Sequence, residues 1–275
     1  MEVSIRKRVG QAGMRWYDRF MGQTVVFANQ KGGVGKTTST VNIGAYMAAA
    51  GRRVLLVDFD PQGNLSSSVG VRKHETGVYD VLIGRVAAAD AVVPTPQENM
   101  DILPSDLRLS GATVELADVE GRDQYLKNSL KPLQEKYDYI LIDCPPSLGI
   151  LTINGFVAAG SVIVPLQCEF FALEGFLNML FQTIKRIQSS LNPSLSVGGI
   201  IFTMYDSRTR LSQEVIQQVK KAFKSHPELL FKTVIPRNIR LSEAPSHGIP
   251  INMYDPGCVG ARSYAALSEE VLKRV

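Results

Sequence analysis

Short apolar runs alternate with helical patterns along this chain from Thr24 onward. The runs lie at residues 24–28, 53–57, 100–103, 139–142, 161–165, 197–202 and 233–235. Because their apolar side chains are nearly continuous, they are typical of strands buried on both faces of a mainly parallel sheet. Apolar residues at i, i+3 and i+4 predict helices at about 37–50, 113–136, 172–190, 211–224 and 262–274. This alternation predicts an α/β fold with a single doubly wound, mainly parallel sheet flanked by helices.

Composition narrows the class of protein. The 275 residues are 45% hydrophobic, which is enough for a sizeable core. The three cysteines, Cys144, Cys168 and Cys258, are far apart and form no C-x-x-C pair, so they fit a reducing cytosol better than a disulfide framework or a zinc site. No apolar run approaches the roughly 18 residues of a spanning helix, and the N-terminus lacks the apolar region of a signal peptide. We expect a cytoplasmic globular protein.

Charge is unevenly distributed along the chain. Residues 1–22 contain 5 basic and 2 acidic side chains, residues 23–199 contain 14 and 17, and residues 200–275 contain 11 and 7. The basic last third suits a surface that binds a polyanion, although scattered solvated lysines would give the same sum.

Residues 1–22 form a basic extension, with Arg6-Lys7-Arg8 and no sustained period, ahead of a single predicted domain at 23–275. Two interpretations of the extension stay open. It is either a basic arm that touches nucleic acid or lipid, or a disordered leader with Met14 or Met21 as the true start.

A glycine-rich loop joins the first predicted strand to the first predicted helix. It reads Gln30-Lys31-Gly32-Gly33-Val34-Gly35-Lys36-Thr37-Thr38. The standard phosphate-binding loop, G-x-x-x-x-G-K-[ST], has glycine where this chain has Gln30, and this loop carries a second lysine, Lys31. Its glycines let backbone N–H groups approach phosphate oxygens, a lysine supplies positive charge, and a hydroxyl can bind Mg²⁺. The helix N-terminus adds its partial positive charge, so the loop predicts a phosphate site.

Carboxylates follow two of the predicted strands. Asp143 ends the run at 139–142, where a Walker B aspartate organises Mg²⁺, although a strand-terminal aspartate can also cap the next loop. Asp58 and Asp60 follow the run at 53–57 and lie on one side of the chain, because side chains in a strand alternate with period two. We predict that Asp58 supports the metal and that Asp60 positions the attacking water. The alternative is that Asp58 and Asp60 are two solvated acids at a strand end with no role at the phosphate site.

These segments, at 31–38, 58–64 and 143–147, resemble the deviant Walker A ATPases of the ParA/MinD group. Three later segments, at 165–175, 204–211 and 235–246, are similar to the chromosomal ParA (Soj) branch. The resemblance covers about residues 23 to 274. It implies a P-loop NTPase fold and a weak ATPase that uses ATP and Mg²⁺, forms a homodimer on ATP, binds double-stranded DNA without sequence preference and is stimulated by a ParB-like partner.

The resemblance also assigns roles to residues. Lys36 would bind the β- and γ-phosphates, Thr37 the Mg²⁺, and Lys31 would reach across the dimer to the ATP of the other subunit. Thr38 and the backbone of Gly32, Gly33, Val34 and Gly35 would bind the remaining phosphate oxygens, and Pro236 and Asn238 would contact adenine. Lys31, Lys36 and Asp60 are thus the expected catalytic residues. Expected DNA contacts are Arg208, Arg240, Lys220, Lys221 and Lys224, although the three lysines also fit a solvated helix face.

Two other functions share such a nucleotide site. A MinD-like membrane-positioning ATPase needs a basic amphipathic tail, whereas residues 267–275 include two acids, so no membrane contact is expected. A nucleotide-dependent reductase resembling the nitrogenase iron protein needs a second cluster cysteine besides Cys144, which no matching stretch supplies. Only about twenty residues precede the first strand, so we expect no helix-turn-helix domain. A nucleoid-associated partition ATPase is the favoured prediction.

Overall fold

The computed structural model describes residues 22–169 and 176–275, and within them the strands form a single eight-stranded sheet. The order is β3-β4-β2-β5-β1-β6-β7-β8, and every pairing is parallel except that of β3 with β4. The strands are β1 (Gln23–Phe27), β2 (Val54–Asp58), β3 (Val93–Pro94), β4 (Met100–Leu103), β5 (Tyr139–Asp143), β6 (Ser161–Gln167), β7 (Ser196–Tyr205) and β8 (Leu230–Pro236).

Helices cover both faces of the sheet. One face carries α3 (Val78–Leu82), α4 (Ala88–Ala91), α5 (Leu109–Glu115), α6 (Tyr125–Leu130), α7 (Ile150–Ala158), α8 (Phe176–Ser190) and α9 (Arg210–Ala222). The other carries α1 (Lys36–Ala49), α2 (Asn64–Ser68), α10 (Ile239–His247), α11 (Ile251–Tyr254) and α12 (Val259–Leu272). Each face of the sheet forms a hydrophobic core with its helices, and alternate residues of β1 pack into the two cores. Val26 packs on the first face, and Val25 and Phe27 pack on the second. The predicted doubly wound fold is confirmed.

Strand register brings the predicted chemistry to one edge of the sheet. Phe27 at the end of β1 and Asp58 at the end of β2 are both aligned with Asp143 at the end of β5. Because parallel strands share a direction, the loops that follow these strands meet at the carboxyl edge. That edge is where ligands bind in open α/β sheets.

The prediction of one continuous helix at 113–136 was wrong. The structure has α5, then irregular chain, then α6 and a short 3₁₀ turn at Lys131–Leu133. Gly121 adopts a left-handed conformation (φ 72°), and Pro132 has no N–H to donate, so neither residue continues a helix. The pattern also missed short elements such as α2, α3, α4, α7, α10 and α11.

Two predictions fall partly on residues outside the described ranges. The extension at 1–22 is described only at Gly22, and the helix predicted at 172–190 is described from Phe176. Within the described part of the chain, no helix is long and apolar enough to span a bilayer.

Candidate functional site

The glycine-rich loop occupies the carboxyl edge between β1 and α1. Gly33 and Gly35 both have left-handed backbone angles (φ 71° and 85°), which residues other than glycine rarely adopt. Gly35 is the residue that precedes α1, and the helix begins at Lys36 without a side-chain cap. The first N–H groups of α1 are therefore available to an anion at the helix N-terminus.

Two side chains that the sequence reasoning missed hold this loop against the sheet. Buried Asn29 donates from Nδ2 to the carbonyl oxygen of Pro165 on β6 (2.7 Å). Thr203 on β7 donates from Oγ1 to the carbonyl oxygen of Val34 (2.8 Å). Their only local signal is a polar residue at or next to the end of an apolar strand. The loop is thereby fixed by strands far away in sequence.

Lys36 is buried beneath the loop. Its Nζ donates to the carbonyl oxygen of Lys31 (3.3 Å). Burial lowers the pKa of Lys36, and the nearby carboxylates of Asp143 and Asp60 oppose that shift by favouring the ammonium form. A cation at the helix N-terminus is suited to bind phosphate.

Thr37 and Asp143 lie directly beside that cation. Thr37 donates from Oγ1 to Asp143 Oδ2 (2.5 Å), and Asp143 Oδ1 is buried with no hydrogen-bond partner in the described structure. Burial raises the pKa of Asp143, and the bond from Thr37 and the charge of Lys36 oppose the rise. A hydroxyl and a carboxylate with an unused oxygen are hard ligands of the kind Mg²⁺ prefers, so the pair fits that ion.

Asp58 and Asp60 lie on the turn after β2. Fully buried Asp58 accepts at Oδ2 from the backbone N (2.8 Å) and Oγ (2.6 Å) of Ser66, and at Oδ1 from Asp60 N (3.3 Å). Burial raises its pKa to about 6. Asp60 is also buried and accepts from Gln62 N (3.0 Å). Ser66 is another residue that the sequence reasoning missed. Its bonds to Asp58 fix the turn that carries Asp60. The role of Asp58 at the metal stays a prediction.

Lys31 differs from Lys36 in its surroundings. Its side chain is 28% exposed, and its Nζ lies 3.2 Å from Gln167 Oε1 and 3.3 Å from Glu169 Oε2. Arg237 Nη2 contacts the other carboxylate oxygen of Glu169 at 3.5 Å. The ammonium of Lys31 is therefore held at the end of β6 by a hydrogen bond to Gln167 and by a partly exposed ion pair, a kind of contact that is typically worth about 0–1 kcal/mol.

The predicted adenine contacts lie at the same edge. Pro236 ends β8, and Asn238 immediately precedes α10. Asn238 Oδ1 is buried and has no hydrogen-bond partner in the described structure, and the same holds for Gln30 Oε1 in the phosphate loop. A buried amide oxygen without a donor fits a ligand amino group. Gln30 is a candidate that the sequence reasoning did not include.

The basic residues predicted to contact DNA separate into two groups. Arg208 and Arg240 follow β7 and β8, whose loops are joined by a bond from Arg237 N to the Tyr205 carbonyl (2.9 Å). Arg208 is 85% exposed and bonds Asp206 at 2.7 Å, which lowers the pKa of Asp206 to about 2. Arg240 bonds Glu243 at 2.8 Å.

Lys220, Lys221 and Lys224 are exposed at the far end of α9. They lie ten or more residues after the start of that helix at Arg210, which is roughly 15 Å along its axis. The residues predicted to contact DNA thus form two groups, one at the nucleotide edge of the sheet and one at the far end of α9.

Comparison with known proteins identifies the family. A family model described as an AAA domain matches residues 22–197. The chromosome-partitioning ATPase Soj of Treponema pallidum is 58% identical over 254 residues, which are 92% of this chain and 98% of that protein. The sporulation initiation inhibitor protein Soj of Bacillus subtilis is 50% identical over 253 residues, 91% of this chain and 98% of that protein.

A solved structure gives the same fold. Cobyrinic acid a,c-diamide synthase from Mycobacterium smegmatis with bound ATP analogue and magnesium is 39% identical, covers 92% of this chain and 95% of its own, and has a TM-score of 0.79. Its name describes another activity, but both Soj proteins are more similar in sequence, which favours partition over the membrane and reductase alternatives. The chain therefore belongs to the Soj/ParA family of chromosome-partitioning ATPases.

Proposed function

We propose that this protein is an ATP-driven dimer switch for chromosome or plasmid partitioning. It binds ATP and Mg²⁺, forms a homodimer, holds non-specific DNA in that state and is released when a ParB-like centromere-binding partner stimulates hydrolysis. The observation that carries the proposal is the contrast between the two lysines of the loop. Lys36 is buried at its own phosphate site, whereas Lys31 is held at the surface by a weak ion pair.

ATP binding follows from the arrangement of the loop. The N–H groups from Gly32 to Thr38 and the Lys36 ammonium would bind the triphosphate. Thr37 and Asp143 would hold Mg²⁺, which neutralises phosphate charge when bound. Asn238 Oδ1 is buried and unpartnered in the described structure, so it would accept a hydrogen bond from the adenine amino group, and Pro236 would supply an apolar contact for the base.

Hydrolysis requires a water placed against the γ-phosphate. Asp60 is the carboxylate for that task, because its turn is fixed by the two bonds that Ser66 donates to Asp58. Among the bonds described, the Asp60 side chain itself accepts only from the neighbouring Gln62 N. The reaction stays slow until a partner completes the site, which allows the ATP state to persist.

Dimer formation presses two ATP polyanions towards each other. A cation from the opposite subunit offsets their repulsion. Lys31 can supply it because its partly exposed ion pair with Glu169 is weak and can be exchanged for a charge-assisted bond to phosphate. ATP thus holds the dimer together, and loss of the γ-phosphate releases it.

DNA binding depends on the dimer because contacts with phosphates add. Each subunit offers Arg208 and Arg240, and a dimer doubles the number of contacts on one duplex. A surface too weak in the monomer then holds DNA only in the ATP state.

Co-sedimentation with DNA and with liposomes tests this function. Asp60→Ala should give an ATP-dependent dimer in size-exclusion chromatography that stays on DNA, because hydrolysis no longer dissolves it. Glu98→Ala, at an exposed and distant acid, is the matched control and should behave like the unchanged protein. An Asp60→Ala protein that stays monomeric with ATP, or that binds liposomes instead of DNA, would overturn the proposal.

A further inference from the structure

A groove of about 540 Å³ lies on the sheet face that carries α5 to α9. Its floor is apolar, formed by Ile150 and Ile153 of α7 and by Leu191 after α8, all partly exposed. Its wall is the irregular segment 117–123. None of these residues belongs to the phosphate loop or its carboxylates, so the proposed function leaves the groove unused.

The wall is acidic. Asp118, Glu120 and Asp123 stand against a single base, Arg122, which gives the segment a net charge of −2. The wall is also fixed in place, because Asn154 of α7 donates to the Arg122 carbonyl at 2.8 Å. An apolar floor beside a fixed acidic wall suits a segment that combines large apolar side chains with arginine or lysine.

The chain itself contains such a segment. Residues 1–21 hold five basic side chains and two acids, and within them Arg15 and Arg19 are interleaved with Trp16, Tyr17 and Phe20. These residues lie outside the described ranges and directly precede Gly22. Their charge is opposite to that of the groove wall, and their aromatic side chains match its floor.

Gly22 places the point where this segment joins the domain near the groove. Its N–H donates to the Gln134 carbonyl at 2.7 Å, and a Cβ there would collide with the Tyr137 carbonyl oxygen, so only glycine fits. Gln134 is eleven residues after Asp123, along α6 and the 3₁₀ turn, which limits the separation to roughly 22 Å. Twenty-one residues can span up to about 70 Å.

Leu191 lies at the same edge of the sheet as Gly22. It closely precedes β7, whose first residue Ser196 donates from N to Gly160 O, and Gly160 N donates in turn to Thr24 O at the start of β1. The Leu191 end of the groove floor therefore lies at the edge of the sheet from which the N-terminal segment leaves the domain.

We propose that residues 1–21 dock in this groove of their own chain, with aromatic side chains on the apolar floor and arginines against the acidic wall. Attachment to the domain favours this occupant over a separate one, since a short tether gives an effective concentration in the millimolar range. A second copy of the chain, or a separate basic protein, is the competing occupant.

The sole tryptophan of the chain, Trp16, reports on this docking directly. In the full-length protein, its emission should be blue-shifted and its quenching by acrylamide several-fold slower than that of a solvated tryptophan. Asp118→Lys/Glu120→Lys should shift the emission to that of a solvated side chain. Glu98→Lys/Glu269→Lys changes the charge equally at exposed sites outside the groove and should leave Trp16 protected.

Three results would overturn the proposal. They are a solvated Trp16 in the unchanged protein, protection that survives Asp118→Lys/Glu120→Lys, and protection that disappears on dilution, which would assign the groove to another molecule. Far-UV circular dichroism and ATP binding, both expected to be unchanged in the two variants, show that each remains folded.

Discussion

The phosphate loop and the arginines beyond β7 and β8 share one edge of the sheet but are built in opposite ways. Lys36 of the loop is buried, and distant strands fix the loop through the bonds of Asn29 to β6 and of Thr203 to Val34. The arginines are exposed, and their ion-pair partners are partly exposed carboxylates, as Asp206 is for Arg208. ATP binding by the loop requires several atoms to be correctly placed at the same time, so one substitution should disable it. On the basic surface, contacts add, so each change should remove only a share.

Lys36→Ala should have the largest effect. The substitution removes the buried cation that faces the triphosphate, and losing one partner of such a pair costs about 2–5 kcal/mol, or roughly 30-fold or more in ATP affinity. Calorimetric titration with ATP measures it. Lys73→Ala, at an exposed lysine outside the loop, is the control and should bind ATP normally. If the two variants bind ATP with equal affinity, the buried lysine of the loop matters no more to ATP binding than an exposed surface lysine does.

Thr203→Val should weaken ATP binding although Thr203 is not itself an expected phosphate ligand. It leaves the carbonyl of Val34 without its hydrogen bond, at a cost of about 1–3 kcal/mol, and we expect roughly tenfold weaker ATP binding and a lower melting temperature. Thr113→Val removes a similar hydroxyl bond at an exposed position and should change neither quantity. A Thr203→Val protein with unchanged affinity would show that the loop does not depend on β7.

Arg240→Glu should affect DNA alone. Each dimer would lose two phosphate contacts, so the slope of log K against log salt for DNA binding should fall by roughly 2, while ATP-driven dimer formation stays intact. Arg52→Glu, exposed at the opposite edge of the sheet, is the control with the same charge change. If the slope is the same in both variants, the surface beyond β8 does not bind DNA.

Lys220→Ala/Lys221→Ala/Lys224→Ala should have the smallest effect. These exposed side chains lie roughly 15 Å along α9 from its start at the nucleotide edge. We expect a smaller change in the salt slope of DNA binding than Arg240→Glu gives. A larger loss in the triple lysine variant would move the DNA surface to the other end of α9.

A difference between local and long-range features explains what the sequence could predict. The phosphate loop and Asp143 could be recognised from adjacent residues, because they belong to a glycine-rich stretch before a helix that starts at Lys36 and to a strand that ends in an aspartate. Such features are visible in a short stretch of chain. The sheet was predictable for the same reason, because each buried strand is a continuous apolar run.

Features that depend on long-range pairing were not visible. Ser66 and Thr203 are ordinary polar residues until the fold brings them to Asp58 and to Val34. The helix predicted at 113–136 failed because apolar spacing continues past Gly121 and Pro132, although the backbone cannot remain helical at either. The two groups of basic residues could be separated only once the direction of α9 was known.

The central claim is that Lys31 acts on the ATP of the opposite subunit, and mixing two inactive variants tests it most directly. In a dimer of a Lys31→Ala chain with an Asp60→Ala chain, one site retains its own Asp60 and receives the partner's intact lysine. Partner-stimulated hydrolysis in an equal mixture should therefore recover to about a quarter of that of the unchanged protein, since half of the dimers are mixed and each has one complete site. If the mixture is as inactive as each variant alone, Lys31 serves its own subunit and the account is wrong.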